Sequence, residues 1–219
     1  MMAVRRAWVF AGGDFSDSAF RHVVPRADDY LIAVDSGLRY CVDAGLCPDL
    51  LLGDFDSVEP ELLQRPEIAD VPRRVFSAEK DSSDLELALS VLCEMTFDEV
   101  YVVGVSGGRT DHMLINWQLT LQRPWPFALE YIDDTVRALV LHGAGEVNVE
   151  VEPATIVSLV SLKDASGVST QGLQYVLCDA SLIAGSSLGL SNIAVNSIFS
   201  VVIESGVVLV MITNEKQEA

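Results

Sequence analysis

The apolar residues of this 219-residue chain change their spacing once, near residue 135, and that change limits the folds open to it. Before it, compact apolar runs alternate with helical patterns. Residues 8–11, 30–34, 50–52 and 100–105 are short β-rich runs of the sort buried on both faces in parallel sheets. Between Asp84 and Glu94, Leu85, Ala88, Leu89 and Leu92 fall at i, i+3, i+4 and i+7, which predicts a helix with one apolar face. A second helix is predicted over residues 111–122, with Leu114, Trp117, Gln118 and Leu121 on one stripe. Such alternation predicts an α/β domain with a mainly parallel sheet.

The break is marked by Arg123-Pro124-Trp125-Pro126, or slightly later by Asp133-Asp134. Past it, Val147, Val149 and Val151 alternate with Glu146, Asn148, Glu150 and Glu152, the period-two pattern of a half-buried strand. Residues 156–162 and 198–203 continue the theme, and Glu204-Ser205-Gly206 reads as a hairpin turn into residues 207–212. Residues 1–135 are therefore expected to form the α/β domain and residues 136–219 an all-β sandwich, frayed from about Asn214 onward.

Charge narrows the partners. Fourteen basic against 32 acidic residues give a net charge of −18, and a surface of that sign repels nucleic acid and anionic membrane. Past Arg137 the only Lys or Arg residues are Lys163 and Lys216, so an anionic ligand is to be sought in the first part of the chain. Cys41, Cys47, Cys93 and Cys178 form no C-x-x-C pair, and His22, His112 and His142 are scattered, which argues against a zinc site. Free thiols in a reducing cytoplasm are expected. Arg5 and Arg6 ahead of the apolar residues 7–11 resemble the start of a signal peptide, but Gly12, Gly13 and Asp14 close the run too early. No segment approaches the ~20 apolar residues of a membrane span.

Three polar stretches can carry chemistry. Gly53-Asp54-Phe55-Asp56-Ser57 follows the strand at 50–52, and in α/β sheets ligands collect at the carboxyl ends of strands. Asp54 and Asp56, at i and i+2, can aim oxygens at one hard cation such as Mg²⁺; a polar turn with Asp56 as a helix N-cap reads the same residues equally well. Lys80-Asp81-Ser82-Ser83-Asp84 opens the first helix. Asp81 can cap that helix and Asp84 complement its positive end; alternatively Asp84 is a metal ligand and Lys80 a phosphate contact. Finally, Gly104-Val105-Ser106-Gly107-Gly108-Arg109-Thr110-Asp111-His112 runs from a strand through a glycine pair into a helix, with Asn116 one turn on. Glycines allow close backbone approach and Arg109 offers a planar fork for phosphate oxygens, although the sequence is not a Walker A loop. Residue chemistry alone reaches Mg²⁺ and a phosphorylated ligand at the sheet edge. A phosphohydrolase fits that as well as a kinase.

Taken in order, these stretches resemble a family signature. Asp35-Ser36-Gly37, Pro48-Asp49 leading into Gly53–Ser57, Lys80–Asp84, Gly107-Gly108-Arg109-Thr110-Asp111-His112 with Asn116, Thr170-Gln171-Gly172-Leu173-Gln174-Tyr175 and Ser191-Asn192 are similar to the ordered motifs of thiamine pyrophosphokinases. The resemblance implies transfer of the pyrophosphoryl group of ATP to the thiamine hydroxyl, in a homodimer that holds thiamine between subunits. It implies Asp54, Asp56 and Asp84 as Mg²⁺ ligands, with Asp81, Lys80, Arg109 and Asp111 lining the same catalytic site. Asp35, Lys80, Ser83, Arg109 and Asn116 would serve ATP, and Gly172, Tyr175, Ser191 and Asn192 would lie near thiamine. Two positions depart from the family pattern: Ser83 where Thr is frequent, and Tyr175 where many members have Trp, whose ring offers more stacking area. An Mg²⁺-dependent phosphohydrolase, a kinase of another small alcohol and a non-catalytic nucleotide- or thiamine-binding regulator are the alternatives.

Overall fold

The computed structural model describes residues 3–15, 19–77 and 80–213; the frayed end expected from Asn214 lies outside the described residues. By its internal contacts the chain divides into two units, Met1–Leu119 with Trp125–Asp134, and Thr120–Pro124 with Thr135–Ala219.

In the first unit, β1 (Arg6–Phe10), β2 (Tyr30–Val34), β3 (Leu50–Gly53), β4 (Arg73–Val75), β5 (Glu99–Val103) and β6 (Ala128–Ile132) form a parallel sheet in the order β4-β3-β2-β1-β5-β6. Its register brings Leu51, Ala33, Phe10, Val103 and Ile132 into one row across five strands. All of that row belongs to one buried cluster, which α1 (Leu38–Asp43), α2 (Pro60–Leu63) and α3 (Pro66–Ala69) close with Leu38, Cys41, Leu62 and Ile68. Intervening residues such as Val9, Ile32 and Val102 are equally buried but outside that cluster. They point the other way, toward α4 (Asp84–Cys93), which packs on β1, β2 and β3 through Leu85, Ala88, Leu89, Val91 and Leu92. Burial on both faces explains why these strands are unbroken apolar runs. The chain steps outward from β1 to β4, then returns to β1's other side as β5, so the topological switch lies between β1 and β5.

The second predicted helix is shorter and lies differently. α5 (Thr110–Gln118) buries none of its residues, and Leu114 on the predicted apolar stripe is 52% exposed. Its inward side is fixed by polar contacts instead. Asn116 Nδ2 donates to the Val105 carbonyl at 3.1 Å and Trp117 Nε1 to Ser106 Oγ at 3.3 Å.

The second unit is antiparallel throughout. β7 (Val136–His142), β8 (Gly145–Glu150), β9 (Ile156–Gln171), β12 (Ile198–Ile203) and β13 (Ser205–Thr213) run in the order β7-β13-β9-β12-β8, and the short β10 (Ala180–Leu182) and β11 (Asn192–Ile193) add to β9. Glu204-Ser205-Gly206 is not the hairpin turn the sequence suggested. β12 and β13 do not pair with each other; each pairs with a different half of the 16-residue β9, β13 with residues 157–166 and β12 with residues 169–171. The chain crosses there between two antiparallel layers, with register shifts at the corner that let one strand serve both. Val157, Leu159, Val168, Phe199, Val201, Val208 and Val210 meet in a single core, the filling of a sandwich.

Candidate active site

Loops from the carboxyl ends of β1 and β5 interlock at the switch point. Gly13 N donates to the Gly104 carbonyl at 2.9 Å, Asp14 N to the Ser106 carbonyl at 2.8 Å, and Gly108 N to Asp14 Oδ2 at 2.9 Å. Tyr40 of α1 donates its hydroxyl to the Gly13 carbonyl from below. Gly107 and Gly108 both have left-handed backbone, φ 81° and 58°, which a side chain would disfavour. They turn the chain out of the sheet before Arg109.

The acidic loops belong to β2 and β3. Asp35, with φ 45°, ends β2, and its Oδ1 accepts the Phe55 N–H at 3.1 Å. Phe55 is itself left-handed, φ 61°, and packs its ring on the first unit's core. That anchored ring leaves Asp54 half-buried and Asp56 exposed on the cavity side, with Asp56 N donating to Asp54 Oδ1 at 3.2 Å. Asp56 is thus no helix cap; α2 begins further on, behind Glu59. Nor does Asp81 cap α4. Ser83 does, accepting the Glu86 N–H at 3.2 Å, while Lys80 and Asp84 form an ion pair across the same turn.

These groups line one cavity of about 760 Å³. Asp35, Asp54, Asp56, Lys80, Asp81, Ser83, Asp84, Arg109 and Asn116 all line it. Asp111 does not. It is exposed beside the cavity and bound to Arg109, whose Nη2 lies 2.6 Å from its Oδ2, and the hydrogen bond from Arg109 holds its carboxyl down to about 2. Burial, then the nearby Asp84, push the Asp35 carboxyl up to about 6; Asp54 adds to the repulsion and Lys80 and the Phe55 amide oppose it. Hard carboxylate oxygens crowded until they repel one another are the donor set an Mg²⁺ ion needs, and a cation there would relieve the repulsion. Among the described residues no three acidic, His or Cys side chains stand as a finished cage, and Lys80 balances Asp84 instead.

The four residues associated with thiamine by resemblance lie together in the second unit. Leu173 and Ala194 bridge, Gln174 N donates to the Ile193 carbonyl and Val195 N to the Gly172 carbonyl. A Cβ on Gly172 would lie 2.4 Å from the Ile198 carbonyl, so only glycine fits. Asn192 is 4% exposed, and its amide is spent on the Tyr175 N–H (2.9 Å) and Tyr175 carbonyl (2.7 Å). It sets the turn that carries Tyr175, which stands 63% exposed. Ser191, left-handed at φ 54°, is fixed by its N–H to Ser158 Oγ.

Sequence reasoning gave no role to Gly12, Gly13 and Met113, and quoted Ser36 only within a motif; all four line the cavity. Gly12-Gly13 gave the same signal as Gly107-Gly108, a strand followed by two glycines, but was read only as the end of an apolar run.

Fold and cavity together define a class: an α/β unit with a charged ligand site at the switch point of its parallel sheet, followed by an antiparallel β unit. Within that class the comparisons converge. The family model described as the thiamin pyrophosphokinase catalytic domain matches residues 21–125, and that of the thiamin pyrophosphokinase vitamin B1 binding domain matches residues 146–208. Thiamine pyrophosphokinase of Bacillus subtilis is 32% identical over 168 residues, covering 76% of this chain and 78% of its own. A crystal structure of the Bacillus subtilis thiamine pyrophosphokinase superposes with a TM-score of 0.84 at 27% identity, over 96% of this chain and 100% of that one. One from Geobacillus thermodenitrificans gives 0.80 at 26%, over 98% and 99%. The chain belongs to the thiamine pyrophosphokinase family.

Proposed function

We propose that the chain transfers the pyrophosphoryl group of ATP to the hydroxyl of thiamine, giving thiamine diphosphate and AMP. The observation that carries this reading is the cavity at the switch point, where carboxylates from three loops face Lys80 and Arg109. ATP binds there, its phosphates over the Gly107-Gly108 turn and toward Arg109 and Lys80. Asp54, Asp56 and Asp84 would hold Mg²⁺, with Asp35 beside them. The ion, when bound, neutralises charge on the phosphate oxygens, and the rest of the task is positioning. The thiamine oxygen forms a bond to the β-phosphorus while the bond from that phosphorus to the α-phosphate oxygen breaks, and AMP leaves with the electron pair.

The hydroxyl proton needs an acceptor. Asp111, paired with Arg109 and held at about 2, is a poor one. Asp81 lines the cavity and is the better placed of the two. Asp111 instead orients Arg109. Tyr175 stacks on a thiamine ring, in a turn set by Gly172, Ser191 and Asn192. Exposed Ile183, Leu188, Leu190 and Val195 give the second unit an apolar surface suited to a second copy of the chain, as a homodimer. No disulfide joins the four cysteines, in keeping with the cytoplasm, and among the described residues no helix is long and apolar enough to cross a membrane.

Replacing Asp54 by Ala is the direct test. Turnover with ATP, Mg²⁺ and thiamine should fall on the order of a thousandfold, the scale of losing a preorganised electrostatic contact to the transferring group. Near-normal turnover in Asp54→Ala would sink the metal assignment.

A further inference from the structure

Asp133 is a carboxylate the proposed reaction does not use, and it is only 4% exposed. It stands one residue past β6, at the same sheet edge as the glycine loop. A carboxylate this deep is costly unless it is hydrogen-bonded. Its bonds run to the side-chain hydroxyl and backbone N–H of Ser106, and to the Asp134 N–H, 3.2 Å from Oδ1. Ser106 in turn accepts the Trp117 indole N–H at 3.3 Å, and its carbonyl accepts the Asp14 N–H at 2.8 Å. The indole is held edge-on by Tyr131, 5.2 Å between ring centroids, and the Tyr131 hydroxyl donates to the Asn116 carbonyl at 2.9 Å.

The segment before the glycines is therefore tied residue by residue. The Gly104 carbonyl takes the Gly13 N–H, the Val105 carbonyl takes the Asn116 amide, and Ser106 is held through its hydroxyl, N–H and carbonyl. At Gly107 and Gly108 the chain turns into the cavity, and a Cβ on Gly108 would meet nothing within 4 Å. The turn leaves the sheet from Ser106, whose hydroxyl, N–H and carbonyl are all engaged, and beyond it Gly108 N is held by Asp14 Oδ2 at 2.9 Å.

We infer that Asp133 and Ser106 are positioning residues, a buried brace that aims the Gly107-Gly108-Arg109 turn at the phosphates of the nucleotide. The inference rests on the reading of this cavity as the ATP site. Ser106→Ala removes the hydroxyl that links Asp133 to Trp117, whereas Ser106→Thr keeps it. Asp133→Asn offers one acceptor oxygen and a competing N–H₂ to donors that require a carboxylate.

The test is equilibrium binding of ATP with Mg²⁺, together with steady-state kinetics in which ATP and thiamine are varied separately, on the wild-type chain and these three variants. Ser106→Ala and Asp133→Asn should weaken ATP binding and raise its KM on the order of tenfold, the scale of a loop displaced by a fraction of an ångström. The KM for thiamine should hold, and Ser106→Thr should stay within about twofold of wild type throughout. Wild-type affinity for ATP in both Ser106→Ala and Asp133→Asn overturns the brace and leaves the nucleotide site standing. Equal losses in Ser106→Thr and Ser106→Ala also overturn it, because the hydroxyl is then not what matters. A wild-type chain that does not bind ATP removes both readings at once. Should Asp133→Asn fail to fold, the Ser106→Ala and Ser106→Thr pair decides the matter.

Discussion

Asp35 shows how function and stability pull against each other at a single residue. Its backbone is left-handed, one oxygen is committed to the Phe55 N–H, and its carboxyl is raised to about 6 by burial and by Asp84 and Asp54. A carboxyl raised above its unfolded value of 3.8 takes up its proton more readily in the folded chain, so folding stability is lost as pH climbs from 3.8 toward 6 and the cost is complete above that. Asp35→Asn keeps an oxygen for Phe55 and removes the charge. At pH 8 without metal it should stabilise the fold by roughly 1 kcal/mol, allowing for the solvent that reaches this half-buried group, and at pH 4 it should not. Thermal melts at the two pH values check this; equal effects at both would show that the charge is not the cause. Turnover of the same variant should fall. Legibility at this scale followed chemistry. Carboxylates and a lysine at strand and helix ends stood out in the sequence, whereas Asp133 looked like part of a domain boundary, because nothing local shows that Ser106, 27 positions earlier, needs it.

Helix α4 illustrates the element scale. Its apolar spacing was plain in the sequence and the structure starts it at Asp84, as the pattern required. The sequence reading offered Asp81 as its cap, but Ser83 is as good a cap by residue type and only the backbone turn decides. Ser83 holds the extended cap conformation, φ −69° and ψ 158°, which frees Asp81 to face the cavity. Ser83→Ala should cost ~1 kcal/mol in denaturant unfolding. Ser83→Thr, which keeps the cap oxygen, should cost much less; equal losses in the two would contradict the cap. α5 and the corner at Glu204 mark the limits of pattern reading. Apolar spacing says that a helix or strand forms but not which neighbour it meets. α5 is held by Asn116 and Trp117 rather than by its leucines, and β12 and β13 go to opposite halves of β9 because that strand is long enough to serve both.

Across the whole molecule, internal contacts divide the chain between Asp134 and Thr135, with the exception that Thr120–Pro124 groups with the second unit. That exception was invisible in the sequence, where the proline-rich stretch read as one candidate boundary. Most of the acidic excess of −18 lies outside the cavity, but Asp35, Asp54, Asp56, Asp81 and Asp84 still outnumber Lys80 and Arg109 there, so a polyanionic substrate needs a cation over the carboxylates, as proposed. Family membership and the cavity together make one claim about chemistry: two phosphoryl groups move in a single step. The measurement that tests it most directly is to incubate the purified chain with ATP, Mg²⁺ and thiamine and resolve all products by chromatography. Thiamine diphosphate and AMP in equal amounts are predicted. ADP with a monophosphorylated product, inorganic phosphate released without thiamine, or no turnover at all would contradict it.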